Sequence, residues 1–135
     1  GWRGLVGTDG KGILEASLEP FRPLVPVEYA QGATEIIAWL GPCIGPEAFE
    51  VGDEVRTVFV DVSPEADQCF RPLGQGKWLA DLAGLARQRL QALGVTGIYG
   101  NDSTAAWCTV TNPSRFFSHR RDRISGRQAA CIWLE

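Results

Sequence analysis

The sequence predicts a mixed α/β or α+β fold, with a layered, mixed β-sheet core flanked by helices in one domain. Three observations support this. Short apolar segments rich in β-forming residues recur along the 135-residue chain. Residues 78–93 carry apolar side chains at helical spacing. Helix-like and strand-like segments are mixed throughout, and no repeat or low-complexity tract interrupts them.

The first elements follow from apolar spacing and from residues that end helices. Residues 8–19 are predicted as a short helix, which Pro20 ends. Residues 34–40 are predicted as a buried strand because they combine apolar residues with strong β-formers. A turn rich in glycine and proline follows over residues 41–46.

The middle of the chain gives weaker signals until its long helix. We predict a helix over residues 51–59, with a strand over 48–51 as the alternative. A short helix over 63–70 and a loop over 71–77 follow. The helix over 78–93 has Gly94 as its natural end. A strand is predicted over 95–99.

The last part of the chain is predicted to form a hairpin. Residues 116–119 and 129–134 are its candidate strands, and residues 123–126 form the turn between them. All of these elements fit one domain that covers residues 1–135.

Composition narrows the class of protein. Hydrophobic residues make up 44% and charged residues 21%, as in ordinary soluble domains. The net charge of −3 gives no electrostatic signature of nucleic-acid binding. No apolar run approaches the ~20 residues of a membrane span. The four cysteines form no C-x-x-C pair, and no leader pattern is visible, so we expect a reduced, cytoplasmic protein.

Cys43 lies in the turn of residues 41–46, which would hold its side chain rigidly at a strand end. It is a candidate nucleophile, with His119, the single histidine, as its base. The alternative, which we favour, is a small buried residue in a structural turn. Residues 100–103 follow a predicted strand and are either a ligand loop or, as we favour, an Asx turn.

Residues 118–123 contain four possible cations, including Arg120 and Arg121. Arginines fork onto phosphate or carboxylate oxygens, so a phosphorylated ligand or phosphate is the simplest partner. In a strand, Arg120 would lie on the face opposite His119 and Arg121. The alternative is a solvated, charged hairpin. Arg3, beside Trp2 in a glycine-flanked turn, adds another guanidinium.

Several segments together resemble the laccase-domain family, also called the YfiH-like or polyphenol oxidase family. The matching segments are Gly1-Trp2-Arg3-Gly4, Leu40-Gly41-Pro42-Cys43-Ile44-Gly45-Pro46, Phe49-Glu50-Val51, residues 79–95, Cys108-Thr109-Val110-Thr111, residues 115–122 and Gly126-Arg127-Gln128-Ala129. The ordered set covers essentially the whole chain, which would make it the C-terminal part of one such domain.

The resemblance implies a zinc-dependent purine nucleoside phosphorylase, whereas an older family label is a copper-dependent phenol oxidase. Related members cleave adenosine, inosine, guanosine or methylthioadenosine with phosphate, and some deaminate adenosine. The family's two histidines and one cysteine that hold the metal are expected upstream of Gly1. Neither Cys43 nor His119 matches them, and the position of His119 is often tyrosine in relatives.

The resemblance and the residue chemistry together suggest site roles. Arg3 is the first candidate to contact phosphate, because its segment would adjoin the metal, and Trp2 shares that segment. Arg120 and Arg121 are further candidates for the anion. Two alternatives remain: a cysteine hydrolase or amidase that uses Cys43 and His119, and an inactive binding scaffold. The sequence leaves the preferred nucleoside and the oligomeric state open.

Overall fold

The structure is a computed structural model that describes the backbone of residues 3–7 and 13–17 and all of residues 36–128. Strands β1 (Arg3–Gly7) and β2 (Ile13–Ser17) pair antiparallel, with Gly7 opposite Ile13. The helix predicted over residues 8–19 is therefore wrong where it meets β2, because pairing with β1 overrides the local helical spacing. β1 also packs against β3, the next strand.

Strands β3 (Ile37–Leu40) and β7 (Gly97–Gly100) form a parallel pair. They match the strands predicted over residues 34–40 and 95–99, whereas their pairing was not predicted. One face of this pair packs under helix α2 (Leu82–Ala92). Its buried core consists of Ile36, Ala38, Leu90 and Val95, with Leu40 and Ile98 packed against it.

The polypeptide between these strands forms a second unit. It contains β4 (Glu50–Gly52), α1 (Asp53–Val62), a 3-10 helix (Pro64–Cys69), β5 (Phe70–Gly74) and β6 (Lys77–Ala80). The strands form an antiparallel sheet in the order β4-β6-β5. Its core is Val51, Ala66, Phe70, Ala80 and Leu85.

Two predictions fail in this unit. The loop predicted over 71–77 is a turn only at Gln75-Gly76, between strands β5 and β6. Both turn residues and the preceding Gly74 have positive φ angles. The long helix begins at Leu82 rather than at residue 78, because the preceding residues pair with β4 and β5. The Asp81 side chain caps α2 by accepting a hydrogen bond from Gly84 N at 2.9 Å.

The helix α2 connects the two units. It contributes Leu90 to the core beneath β3 and Leu85 to the core beside β4. Gly94, at φ +84°, ends the helix as predicted. Val95 N donates to Leu90 O at 3.0 Å and closes the last turn.

After a short 3-10 helix (Ala105–Trp107), the chain reaches α3 (His119–Asp122). The strand predicted over 116–119 is wrong, since Ser118 caps this helical turn and accepts from Arg121 N at 3.3 Å. Because residues 119–122 are helical, the alternation that placed Arg120 opposite Arg121 does not apply. The strand predicted over 129–134 lies outside the described residues. Within the described part of the chain, no helix is long and apolar enough to cross a membrane.

Candidate functional site

The candidate site lies where β3 and β7 end. Leu40 and Gly100 are paired in register, so both strands deliver their following loops to the same edge. Ligands of open parallel sheets bind at this carboxyl edge. The two loops stay together beyond the strands, because Cys43 and Cys108 form an isolated parallel bridge. Thr109 N donates to Cys43 O at 2.9 Å within that bridge.

Asn101 holds the two loops from inside. Its side chain is buried, and its amide nitrogen donates to Gly41 O at 3.1 Å and to Cys43 Sγ at 3.3 Å. Its side-chain oxygen accepts from Ser103 N at 2.9 Å, which is the Asx turn favoured from the sequence. Gly100 allows the ends of β3 and β7 to approach this closely. It has φ +86°, and a Cβ there would collide with Leu40 O.

The Cys43 thiol is buried and protonated at neutral pH. Its pKa is raised to about 11, chiefly by burial; the hydrogen bond from Asn101 opposes the rise, and the charge of Asp81 and the nearby Cys108 thiol add to it. The thiol donates to Ile44 O at 3.3 Å. No hydrogen bond joins Cys43 to His119 in the part of the chain that the structure describes, and His119 is exposed on α3.

Cys108 differs from Cys43 in its electrostatics. Burial raises the pKa of its thiol, but hydrogen bonds from the Thr111 side chain and from the N–H groups of Thr111, Gly45 and Val110 together lower it below its ordinary value. The contact with Gly45 N measures 3.2 Å. A Cβ at position 45 would lie 2.9 Å from Cys108 Cβ, so glycine is needed there.

Asp81 links the site to the second unit. Its Oδ1 accepts from Ser103 Oγ at 2.7 Å in addition to capping α2. Hydrogen bonds therefore run from Asp81 through Ser103 and Asn101 to Cys43. Polar contacts of this kind fix the relative positions of the loops they join.

The arginine-rich segment folds back onto the same loops. Arg121 donates from Nη1 to Thr109 O at 2.8 Å and to Val110 O at 3.2 Å, and from Nη2 to Phe116 O at 3.2 Å. It also pairs with Asp122 at 2.6 Å, which raises the Arg121 pKa and lowers that of Asp122. This guanidinium braces the backbone beside Cys108, so little of it is left for a ligand.

The other predicted cations differ in their accessibility. Arg120 is exposed, although it donates to Glu50 O at 3.2 Å and lies over the ring of Phe49. The backbone of Arg3 belongs to β1, which lies against β3. Trp2 lies outside the described residues. The structure thus brings helix α3, with Arg120 and Arg121, close to the paired loops of Cys43 and Cys108, and it places β1 beside β3.

An open cavity of about 210 Å³ lies on the neighbouring unit. Its lining contains none of the site residues predicted from the sequence; it consists of Pro46, Glu47, Gln68, Cys69, Phe70, Arg71, Leu79 and Asp81. An exposed ion pair between Glu47 and Arg71 forms part of its wall. The cavity borders the Cys43 turn through Pro46 and the hydrogen-bonded chain to Cys43 through Asp81, but neither Cys43 nor Arg121 lines it.

The family resemblance implies zinc or copper, which would need three or more ligands from His, Cys, Asp or Glu. No such group of three comes together among residues 36–128. Cys43 and Cys108 are adjacent but form only a pair. The described residues therefore do not fit the metal.

Sequence reasoning missed the part that Asn101 plays in the site. The available signal was a glycine followed by asparagine directly after a strand; this pattern favours an Asx turn or a ligand loop and does not indicate contacts with a distant loop. It also missed the pairing of Cys43 with Cys108, because residues 65 positions apart meet only through the parallel pairing of β3 and β7.

Comparisons with known proteins agree with this fold. A family model described as multi-copper polyphenol oxidoreductase laccase matches residues 1–135. Purine nucleoside phosphorylase YfiH of Escherichia coli is 46% identical over 134 residues, which are 99% of this chain and 48% of that protein. Purine nucleoside phosphorylase PA4543 of Pseudomonas aeruginosa is 43% identical over 136 residues, which are 100% of this chain and 50% of that protein.

A solved structure of a related protein has a similar fold. The crystal structure of Neisseria meningitidis protein NMB0706 superimposes with a TM-score of 0.60 at 48% identity, covering 64% of this chain and 34% of that one. The chain spans about half the length of the curated relatives it matches. The family model covers every residue, and the fold agrees with that of a solved relative. The chain therefore belongs to the multi-copper polyphenol oxidoreductase laccase family, whose YfiH-like members it resembles in sequence and in fold.

Proposed function

We propose that this chain forms the substrate-side part of a purine nucleoside phosphorylase. The observation that carries the proposal is 46% identity, over nearly the whole chain, to a protein named purine nucleoside phosphorylase. In the proposed reaction a phosphate oxygen bonds to C1′ of the ribose as the bond from C1′ to the purine nitrogen breaks. The electron pair of that bond leaves with the purine, which takes up a proton.

The arginines of the chain are proposed to position the phosphate. Arg3 and Arg120 would contact its oxygens, offsetting negative charge as the new bond forms. Arg121 would act mainly by bracing the loop beside Cys108, because its guanidinium already meets three backbone carbonyls and Asp122. Trp2 and the Cys43 loop would line the nucleoside site.

The finer assignments follow from the family resemblance and belong to the same proposal. The nucleosides would be adenosine, inosine, guanosine and methylthioadenosine, and adenosine deamination is a second proposed activity. The metal would be zinc, with copper as the alternative, held by polypeptide outside this chain. The free thiols of Cys43, Cys69 and Cys108 support a cytoplasmic location, where thiols stay reduced.

Two other functions compete with this one. Phenol oxidation is favoured by the description of the matched family alone. A cysteine hydrolase that uses Cys43 and His119 has less support, since nucleophilic cysteines are activated by a lowered pKa and that of Cys43 is raised to about 11. It would also need a hydrogen bond between the two residues, which are not bonded in this structure.

The test is an inosine phosphorolysis assay on this chain produced together with the remainder of Escherichia coli YfiH. We expect phosphate-dependent release of hypoxanthine. Arg3→Ala should lower kcat/KM for phosphate by about 100-fold, because an arginine lost from a phosphate site removes charge and orientation together. Arg71→Ala is the matched control, since Arg71 is 59% exposed and pairs with Glu47 on the neighbouring unit.

The outcomes separate the candidates. Phosphate dependence that is the same in Arg3→Ala as in the parent would remove Arg3 from the site. Oxidation of a phenol without release of a purine base would favour the oxidase. Hydrolysis that is abolished by Cys43→Ala and independent of phosphate would favour the cysteine enzyme.

A further inference from the structure

Cys43 and Cys108 are two thiols that the proposed reaction does not use. Both are free and buried, with 8% and 3% of their surface exposed. They face each other in the isolated parallel bridge beyond the ends of β3 and β7, which also contains the hydrogen bond from Thr109 N to Cys43 O. Cys69, the other free thiol that the structure describes, lies in the 3-10 helix of the second unit. The fold therefore pairs two cysteines that are distant in sequence.

The separation of the two backbones suits a disulfide. Neighbouring strands lie about 4.8 Å apart, and disulfides join residues whose Cα atoms are roughly 4.4–6.8 Å apart. The Cys108 side chain is directed at the turn of residues 41–46, since its Sγ accepts from Gly45 N at 3.2 Å. A Cβ at position 45 would lie 3.0 Å from the same sulfur. A bond between Cys43 and Cys108 therefore needs rotation of their side chains and little movement of the backbone.

The two sulfurs differ in their hydrogen bonds. Cys108 Sγ accepts hydrogen bonds, led by that from the Thr111 side chain, which outweigh the effect of burial and lower the pKa of this thiol. Cys43 instead donates to Ile44 O at 3.3 Å and stays protonated. The thiolate is the form that attacks an oxidant, and an adjacent thiol then resolves the oxidised product. The pair thus contains one sulfur suited to each step.

We propose that Cys43 and Cys108 are a reversible redox pair, which hydrogen peroxide converts to a disulfide. The Cys108 thiolate sulfur bonds to one peroxide oxygen as the O–O bond breaks, and the leaving hydroxide takes up a proton. Cys108 is then a sulfenic acid, oxidised by two electrons. The Cys43 sulfur bonds to the Cys108 sulfur as the S–O bond breaks, and the leaving hydroxide takes the Cys43 proton to form water. A dithiol reductant returns two electrons and two protons and restores both thiols.

The position of the pair gives the disulfide its structural effect. Both loops follow the ends of β3 and β7, so the bond ties together the two sides of the candidate site. Burial of both sulfurs hinders large disulfide reagents more than it hinders hydrogen peroxide, which is close to water in size. Disulfides of cytosolic proteins are usually transient and redox-sensing, as this one would be. The proposal rests on the bridge between the loops and is independent of the phosphorylase activity.

The test is oxidation of the folded chain with hydrogen peroxide, followed by alkylation of the remaining thiols and peptide mass spectrometry. We expect the Cys43–Cys108 disulfide to form about tenfold faster than any pair that contains Cys69 or Cys131, because the fold holds its two sulfurs close together. Cys69 is more exposed than either member of the pair, so accessibility alone would favour Cys69. Dithiothreitol should remove the bond and return both thiols.

The same oxidation in urea separates proximity in the fold from proximity in the sequence. Short loops close more readily than long ones in an unfolded chain. Cys43–Cys69 and Cys108–Cys131 are 26 and 23 residues apart, whereas Cys43–Cys108 are 65 apart. In urea the two shorter pairs should therefore exceed Cys43–Cys108 by about fourfold.

Serine variants test the order of the two steps. Cys43→Ser should leave Cys108 as a sulfenic acid that dimedone traps, whereas Cys108→Ser should leave Cys43 as a thiol, because a protonated sulfur is the poorer nucleophile. Cys69→Ser is the matched control, and it should form the Cys43–Cys108 bond at the rate of the parent chain.

Four results would each overturn the proposal. The first is a preferred pair in the folded chain that contains Cys69 or Cys131, and the second is a Cys43–Cys108 pair that forms equally well in urea. The third is oxidation of Cys108 to a sulfinic acid without any disulfide. The fourth is dimedone on Cys43 in Cys108→Ser with none on Cys108 in Cys43→Ser, which would reverse the order of the steps.

Discussion

Asn101 shows what one residue contributes to the candidate site. Its side chain makes three hydrogen bonds, two of them to a loop about 60 residues away in sequence. The local part, the Asx turn to Ser103, was predictable because asparagine after glycine favours it. The contacts with Gly41 and Cys43 were not predictable, since they depend on parallel pairing between distant strands.

Asn101→Ala should lower the free energy of unfolding by about 2 kcal/mol, because it leaves buried groups without hydrogen-bond partners. Asp102→Ala is the matched control in the same loop. Asp102 is exposed and bonds only to the neighbouring Thr104, so its loss should cost much less. Urea unfolding of the two variants makes the comparison, and equal losses would contradict the bracing role of Asn101.

At the scale of elements, the sequence predicted best where the signal was local. β3, β7, α1 and the end of α2 were predicted, because apolar spacing and Gly94 mark them. β2 and β5 were missed, because each depends on a partner strand. The arginine-rich segment was predicted as a strand, and its helical turn depends on carbonyls of residues 109–116 that the Arg121 side chain bonds.

Gly100 ends β7, and its replacement tests how closely the strand ends pack. Gly100→Ala should lower the free energy of unfolding by about 3 kcal/mol, since it adds a clash with Leu40 O to the strain of a positive φ. Gly76→Ala isolates the strain, because Gly76 has φ +71° and no atom near its Cβ position. It should cost about 1 kcal/mol. Thermal and urea unfolding of both variants provide the measurement, and equal costs would show that the edge is loosely packed.

At the scale of the whole molecule, two cores are held together by one helix and by the hydrogen bonds from Asp81 to Cys43. Single-domain organisation stays a prediction from length and composition; among the described residues, the two cores share α2. The division into two cores was not predictable, because Leu85 and Leu90 differ only in what they meet after folding. The exposure of Trp39 and Ile37 was likewise not predictable, because the sequence predicted a buried strand over residues 34–40.

The buried thiol of Cys43 gives the molecule a pH dependence in the alkaline range. Its pKa is raised from 9.0 to about 11, so the unfolded chain releases this proton more readily than the folded chain does. Stability should therefore be complete below pH 9 and fall as the pH rises towards 11, by about 2 kcal/mol from this group. Unfolding at pH 8.5 and 11 should show a smaller fall in Cys43→Ala, and equal falls would exclude Cys43 as the cause.

The distance along the chain between β3 and β7 has a consequence for synthesis. β7 leaves the ribosome about 60 residues after its partner β3, and the whole second unit is made between them. The core of that unit is completed by Leu85, which leaves the ribosome before any residue of β7 does. Folding during synthesis would therefore begin in the second unit. During that time the apolar residues of β3 have no β7 to pair with. Closing so long a loop is slow, which leaves β3 exposed to aggregation on a nascent or stalled chain.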